Sequence, residues 1–251
     1  MLVILPPSEN KTQPESGTPL DLDSLCAPQL RETREIVLQA LIKLSRGNKA
    51  RAAEVLGLGS SQLELLSRNA DIVESPAAPA IEVYTGVLYD HLDVATLKAP
   101  ARKQLEKTVA IASALFGMVR AGDRIPAYRL SGGTTLPGLG TLAGVWKPVL
   151  GDAINELSAG GLILDLRSGP YMNLAKPTGE WKNRTVTVRV FNEKDGKRSI
   201  VSHFNKATKG DIVRDLMINR VNVKGQGELE TALKDLGWTV ESQTGQIDII
   251  L

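Results

Sequence analysis

The sequence predicts an α+β fold in one domain, a mixed central sheet surrounded by helices. Three observations carry this. Short apolar runs closed by proline, glycine or charge read as buried strands, at Met1–Leu5, Thr108–Leu115 and Gly161–Leu166. Other segments repeat apolar residues at three- and four-residue spacing and read as helices. The two kinds are mixed without strict alternation, which argues against a doubly wound nucleotide fold. A length of 251 residues suits a single domain spanning 1–251, although two would also fit.

Met1–Leu5 ends in Pro6-Pro7, and a polar loop to Asp23 follows. A helix is predicted over Ala27–Ser45, with Leu30, Thr33, Val37, Leu41 and Leu44 on the apolar face and Arg31, Arg34, Glu35 and Lys43 on other faces. Asn48–Leu56 reads as a second helix, broken by Gly57-Leu58-Gly59-Ser60, and Ser60 or Ser61 is expected to cap a third through Leu66. Ser75–Pro79 closes this helical subregion, about 27–75. Thr185–Phe191 and Arg198–Phe204 alternate apolar and polar residues across Glu193-Lys194-Asp195-Gly196, as a hairpin would. Ala207–Arg220 is predicted helical, burying Ile212, Val213, Leu216 and Met217. Another helix, Glu228–Leu236, is capped by Gly237, and Trp238–Glu241 with Gln246–Leu251 forms a last hairpin.

Apolar residues make up 42% and charged residues 23%, the ordinary globular range, so disorder is not expected. No apolar run is long enough to span a membrane, and the start lacks the basic region of a signal peptide. One cysteine, Cys26, precludes an intrachain disulfide and suits a reducing, cytoplasmic setting. A net charge of +2 and a sequence pI of 8.6 are too mild to establish a nucleic-acid partner. The glycine-rich phosphate loops and the G-x-S-x-G elbow are missing. Cys26, His91 and His203 match no zinc spacing, and neither metal nor cofactor is expected.

Four segments carry candidate chemistry. Ser8 and Lys11 stand in a loop directly after the first strand, where sites gather. The glycine-punctuated stretch Ser113–Gly133 holds Arg120, Asp123, Arg124, Tyr128 and Arg129, which suits phosphate pairing and stacking, or equally an Arg–Asp staple. Asp165 is costly to bury alone and needs a cation, Arg167 or an arginine of the previous stretch, with Ser168 beside it. Lys206 and Lys209, with Arg214 further on, lie at the amino end of the predicted 207–220 helix, where an anion would be welcome; two solvated lysines is the plainer alternative. Separately, Lys49, Arg51, Gly57 and Gly59 have the look of a helix-hairpin-helix, whose glycine N–H groups meet a DNA phosphate, although a capped helical turn explains the same glycines.

Taken in order, Pro6-Pro7-Ser8 with Lys11-Thr12, Val83–Tyr89, Ser113–Gly117 through Asp123 to Tyr128-Arg129-Leu130, Val145-Trp146-Lys147, Asp165–Ser168 with Tyr171, and Phe204–Ala207 with Lys209-Gly210 resemble the YaaA-like peroxide-stress family along nearly the whole chain. The resemblance implies a compact α+β domain with a positively charged cleft and a helix-hairpin-helix-like element. It implies binding of double-stranded or distorted DNA, protection of DNA during peroxide stress, and a link to lower intracellular free iron. The candidate cations and glycine N–H groups, with no reading helix for base edges, make such binding sequence-independent. The leading reading is a non-enzymatic or weakly enzymatic protein. Lys147 enters the cleft set through this resemblance. The rival is an enzyme acting on a nucleotide or phosphorylated small molecule. Lys11, Arg129, Arg167 and Lys206 are expected to line one cleft.

Overall fold

The opening apolar run forms strand β1 (Leu2–Leu5), buried at every position. The computed structural model describes residues 1–194, 196–199 and 202–251, and of residues 202–204 the backbone only. After β1 come α1 (Arg31–Arg46), α2 (Lys49–Leu56), α3 (Glu64–Ala70), β2 (Ala78–Pro79), α4 (Ala80–Val83), α5 (Val87–Leu92) and α6 (Ala99–Thr108). The middle of the chain holds β3 (Val109–Ser113), β4 (Gly117–Arg120), β5 (Arg124–Ile125), β6 (Thr135–Leu136), β7 (Gly140–Thr141) and α7 (Leu142–Leu157). The last part holds β8 (Ile163–Asp165), α8 (Gly169–Met172), α9 (Gly179–Lys182), β9 (Thr185–Lys194), β10 (Lys197–Ser199), α10 (Ser202–Ile218), α11 (Gln226–Asp235), β11 (Thr239–Gln243) and β12 (Gln246–Ile250).

The central sheet is mixed and runs β11-β12-β9-β8-β1-β3-β4, with β10 paired to β9. The five inner strands are parallel, and β4, β10 and β11 are antiparallel additions. Strands β1, β3 and β8 are apolar runs because parallel strands are covered on both faces and have no solvent side to alternate with. β1 connects onward to β3 on one side of itself, whereas β8 lies on the other side and connects onward to β9. The order in which strands are added therefore reverses between the parallel neighbours β1 and β8. In an open sheet this reversal leaves a crevice outside the carboxyl ends of the two strands.

Helix α1 covers the region expected, with one correction. Arg34, read as solvent-facing, has 0% exposure. Its guanidinium donates to the carbonyls of Cys26, Phe116 and Met118. Three carbonyls converging on one guanidinium are what lets a cation be buried there. Asn48 caps α2 by accepting the Arg51 N–H, and Gly57 ends it at φ +62°. Neither Ser60 nor Ser61 caps the next helix: Gln62 Oε1 accepts the Gly59 N–H at 3.2 Å.

Two boundaries move near the carboxyl end. The second strand of the 185–204 hairpin stops at Ser199, Ile200 and Val201 lie outside the described residues, and helix begins at Ser202. Helix α10 therefore starts before Ala207, which puts Lys206 and Lys209 in its second and third turns rather than at its amino end. The helix dipole therefore does not act on these lysines as expected, because that field fades beyond the first turn. The four apolar residues expected inside this helix are all fully buried. No described helix is long and apolar enough to cross a membrane.

Candidate functional site

The crevice between the ends of β1 and β8 is occupied by a recess of about 670 Å³. The loop after β1 supplies Pro6, Pro7, Ser8, Glu9 and Asn10, the loop after β8 supplies Leu166, Arg167 and Ser168, and α10 supplies Asn205, Lys206 and Lys209. The remaining wall, from Val87, Leu88, Tyr89, Pro170 and Tyr171, is largely apolar.

Asp165 and Arg167 form the floor. Both side chains have 0% exposure, and they meet through Arg167 Nη2 to Asp165 Oδ2 at 2.6 Å and Nε to Oδ1 at 2.9 Å. The Arg167 backbone N–H also donates to Oδ1, and Nη1 and Nη2 reach the Tyr171 carbonyl and the Met172 sulfur. Of the two partners considered for Asp165, the structure selects Arg167. Its guanidinium is consumed in fixing the loop.

The loop after β1 is pinned from outside. Ser8 Oγ accepts the Thr85 N–H at 2.9 Å, Thr85 Oγ1 donates to the Asn10 carbonyl, and Tyr89 Oη donates to the Pro6 carbonyl. Lys11 pins it from within. Its Nζ donates to the Ser8 carbonyl at 2.8 Å and lies 4.2 Å from the centre of the Tyr128 ring. Tyr128, Tyr84 and Ser113 join hydroxyls at 2.9 and 2.8 Å beneath it. Burial pushes the Lys11 ammonium down to about 7, opposed by Glu9 and assisted by Arg129. Lys11 sits behind the recess wall and does not line it.

Arg129 faces a second recess of about 880 Å³, together with Glu9, Arg51, Glu54, Gly57, Ser131 and Thr134. Glu9 and Ser131 belong to both recesses, so the two adjoin. Arg129 Nη1 pairs with Glu9 Oε2 at 2.9 Å. Its backbone is clamped by Asn69 of α3, which accepts the Arg129 N–H and donates to the Arg129 carbonyl. Asn69 has 0% exposure, and the sequence offered no signal for it. Arg51 also lines a third, smaller hollow of about 220 Å³ with Lys43, Gly47, Asn48 and Pro137.

The hairpin glycines do not behave as phosphate donors here. Gly57 N–H goes to the carbonyls of Ala53 and Glu54, and Gly59 N–H to Gln62. The capped-turn explanation accounts for both. Lys49 is exposed and lines none of these recesses.

The structure brings Ser8, Arg167, Ser168, Lys206 and Lys209 to one recess, with Asp165 under it and Arg129 next door. It does not bring in Lys147, which is exposed on α7 beside the buried Trp146. Nor does it bring in Arg214, whose guanidinium donates to the carbonyls of Leu92 and Asp93 and to Thr96. Arg120 and Arg124 likewise staple backbone carbonyls, and Asp123 accepts the N–H groups of Arg120 and Cys26. Asp211, beside the lysines, pairs with His91 at 3.0 Å.

Cys26 lies behind this staple. Burial, and then the Asp123 carboxylate, push its thiol up to about 12. Thiolate is the reactive form, so the folded protein is expected to resist both hydrogen peroxide and iodoacetamide at pH 7.5. Mass spectrometry should show alkylation at least about a hundredfold slower than in the urea-unfolded chain, where an ordinary thiol returns. Equal rates would contradict the placement.

A family model described as peroxide stress protein YaaA matches residues 1–244. A UPF0246 protein of Streptomyces coelicolor is 46% identical over 243 residues, covering 97% of this chain and 93% of its own. One from Corynebacterium efficiens is 43% identical over 249 residues, covering 98% and 97%. A protein of Campylobacter jejuni, named only as uncharacterized, is 28% identical over 222 residues, covering 88% and 86%.

Proposed function

The chain belongs to the family of the peroxide stress protein YaaA, and on that premise we propose that it serves the peroxide response by binding DNA, double-stranded or distorted, without reading its sequence. Protection of DNA and a lowering of intracellular free iron are the roles that the resemblance attaches to such binding. The supporting observation is the row of recesses. The first shares Glu9 and Ser131 with the second, and the second shares Arg51 with the third. Lys206 and Lys209 thus line the first, Arg129 and Arg51 the second, and Arg51 and Lys43 the third, a series of cations across adjoining recesses. Cations in a row suit a phosphate backbone, which repeats its charge and carries no sequence information. Glu9 and Glu54 interrupt the row, and Glu9 is neutralised by Arg129.

Titrating the protein with labelled duplex and bubble DNA at 50 and 200 mM salt tests this. Neutralising about three phosphates should raise Kd by roughly tenfold or more over that range. Lys43→Gln with Arg51→Gln should weaken all sequences alike. A Kd that stays flat with salt, or a strong preference for one duplex sequence, overturns the reading.

A further inference from the structure

We propose that the recess between β1 and β8 is a binding site for a single nucleoside monophosphate unit, its phosphate held by Lys206 and Lys209 and its base against the Val87–Tyr89 and Pro170–Tyr171 wall. The proposed DNA contact already uses Lys206 and Lys209, so this inference rests on that reading and deepens it at one recess, from the recess's size and lining.

Four observations converge. The volume of about 670 Å³ falls in the range of small-molecule sites and accommodates one nucleotide but no duplex. The recess stands at the point where the strand order reverses, the place where open sheets hold ligands. Its lining is divided: Pro6, Pro7, Leu88, Tyr89 and Tyr171 on the apolar side, Lys206 and Lys209 on the cationic side. The phenols of Tyr89 and Tyr171 are tied to the Pro6 carbonyl and the Gly132 N–H, which fixes that wall in place. A plain phosphate track needs no such wall, whereas a base has a face to lay against one.

Among the described residues, the two lysines are the recess cations left for a ligand. Arg167 is committed to Asp165 and the Tyr171 carbonyl, and Lys11 is turned away behind the loop. Lys206 and Lys209 are three residues apart on α10 and so share a face. Lys206 is exposed, while Lys209 is largely buried with a long 3.5 Å contact to the Leu166 carbonyl. Burial pushes the Lys209 ammonium down, and the nearby Asp165 carboxylate holds it up. A desolvated ammonium with so weak a neutral partner is a cost to the free protein, and an incoming phosphate relieves it.

The same chemistry has two sources, a free nucleotide or an unpaired nucleotide within DNA. The test uses calorimetric titration of the full chain with 2′-deoxyadenosine 5′-monophosphate, with deoxyadenosine and with inorganic phosphate. The monophosphate should bind at least tenfold more tightly than either fragment alone. Lys206→Gln with Lys209→Gln should weaken it about tenfold or more, the scale of losing charge-assisted contacts, without a lower melting temperature. Lys206→Gln alone, at an exposed position, keeps the test valid should the double variant fold poorly. A second arm adds the monophosphate to a complex with bubble DNA. Displacement of the bubble identifies the DNA-borne nucleotide as occupant; binding without displacement identifies the free one. Absence of monophosphate binding at millimolar concentration, or full binding by the folded lysine variants, overturns the site. Salt-sensitive duplex binding that survives that result leaves the DNA reading intact, so the two fail separately.

Discussion

Asp165→Ala is expected to cost about 3–5 kcal/mol of folding stability, the range for removing one partner of a buried ion pair. The carboxylate accepts from Arg167 Nε, Nη2 and backbone N–H, and both side chains are sealed from solvent. Alanine removes every one of those acceptors and leaves a guanidinium in the interior with a carbonyl and a thioether for company. For a chain of this length the melting temperature should fall by roughly 10 °C. Asp165→Leu combined with Arg167→Met should cost less than the two single changes added together, because no orphan charge remains. Urea denaturation of the three variants measures it. A single-variant loss under about 1 kcal/mol would mean that water reaches the pair, against the closed geometry of the floor.

The strand ends were readable because parallel strands leave a plain signal. Each of β1, β3 and β8 is an apolar run stopped by proline, glycine or charge, and each stop opens a loop. Asp165 was legible for the same reason, as a charge at the end of a run that buries everything else. The bond partners were not legible, since a sequence shows charges but not which carbonyls lack donors. Arg34, Arg120 and Arg214 all look like surface cations and all serve buried or half-buried carbonyls. Arg34 carries one usable sign in the sequence: it falls on the same face as Leu30, Val37, Leu38 and Leu41. Helix α7 went unseen because Gly144, Pro148 and Gly151 interrupt its pattern, while its Trp146 is what fills the space opposite Gly117. Alternation in 198–204 imitates a strand, and the helix from Ser202 begins inside that pattern. That imitation puts the lysines at the helix end and supplies an electrostatic reason for them that the structure withdraws. The recess supplies a different one.

Gly210→Ala should destabilise the protein by about 1–2 kcal/mol and weaken ligand binding in the recess at the same time. Glycine is usually a liability inside a helix, and alanine in its place gains about 1 kcal/mol from propensity alone. Here the surroundings decide otherwise. A Cβ at Gly210 would overlap the Leu88 carbonyl oxygen and stand 2.8 Å from His91 Cβ and 3.1 Å from Leu92 N. Two of those contacts are backbone of α5, which has no rotamer to change, so α10 as a whole must move off. Overpacking of this kind costs about 1–3 kcal/mol and sometimes more, enough to outweigh the propensity gain. The displaced helix is the one that carries Lys206 and Lys209, and the helix it packs on carries Leu88 and Tyr89 of the same recess. Stability and binding are thus coupled through one missing methyl group. Gly227→Ala on α11, where nothing lies within 4 Å of the added carbon, supplies the control and should be neutral or slightly stabilising. Thermal melts and the monophosphate titration on both variants give the comparison. Should Gly210→Ala melt no lower than Gly227→Ala, the close approach of α10 to α5 is wrong, and the two walls of the recess are not held together as described.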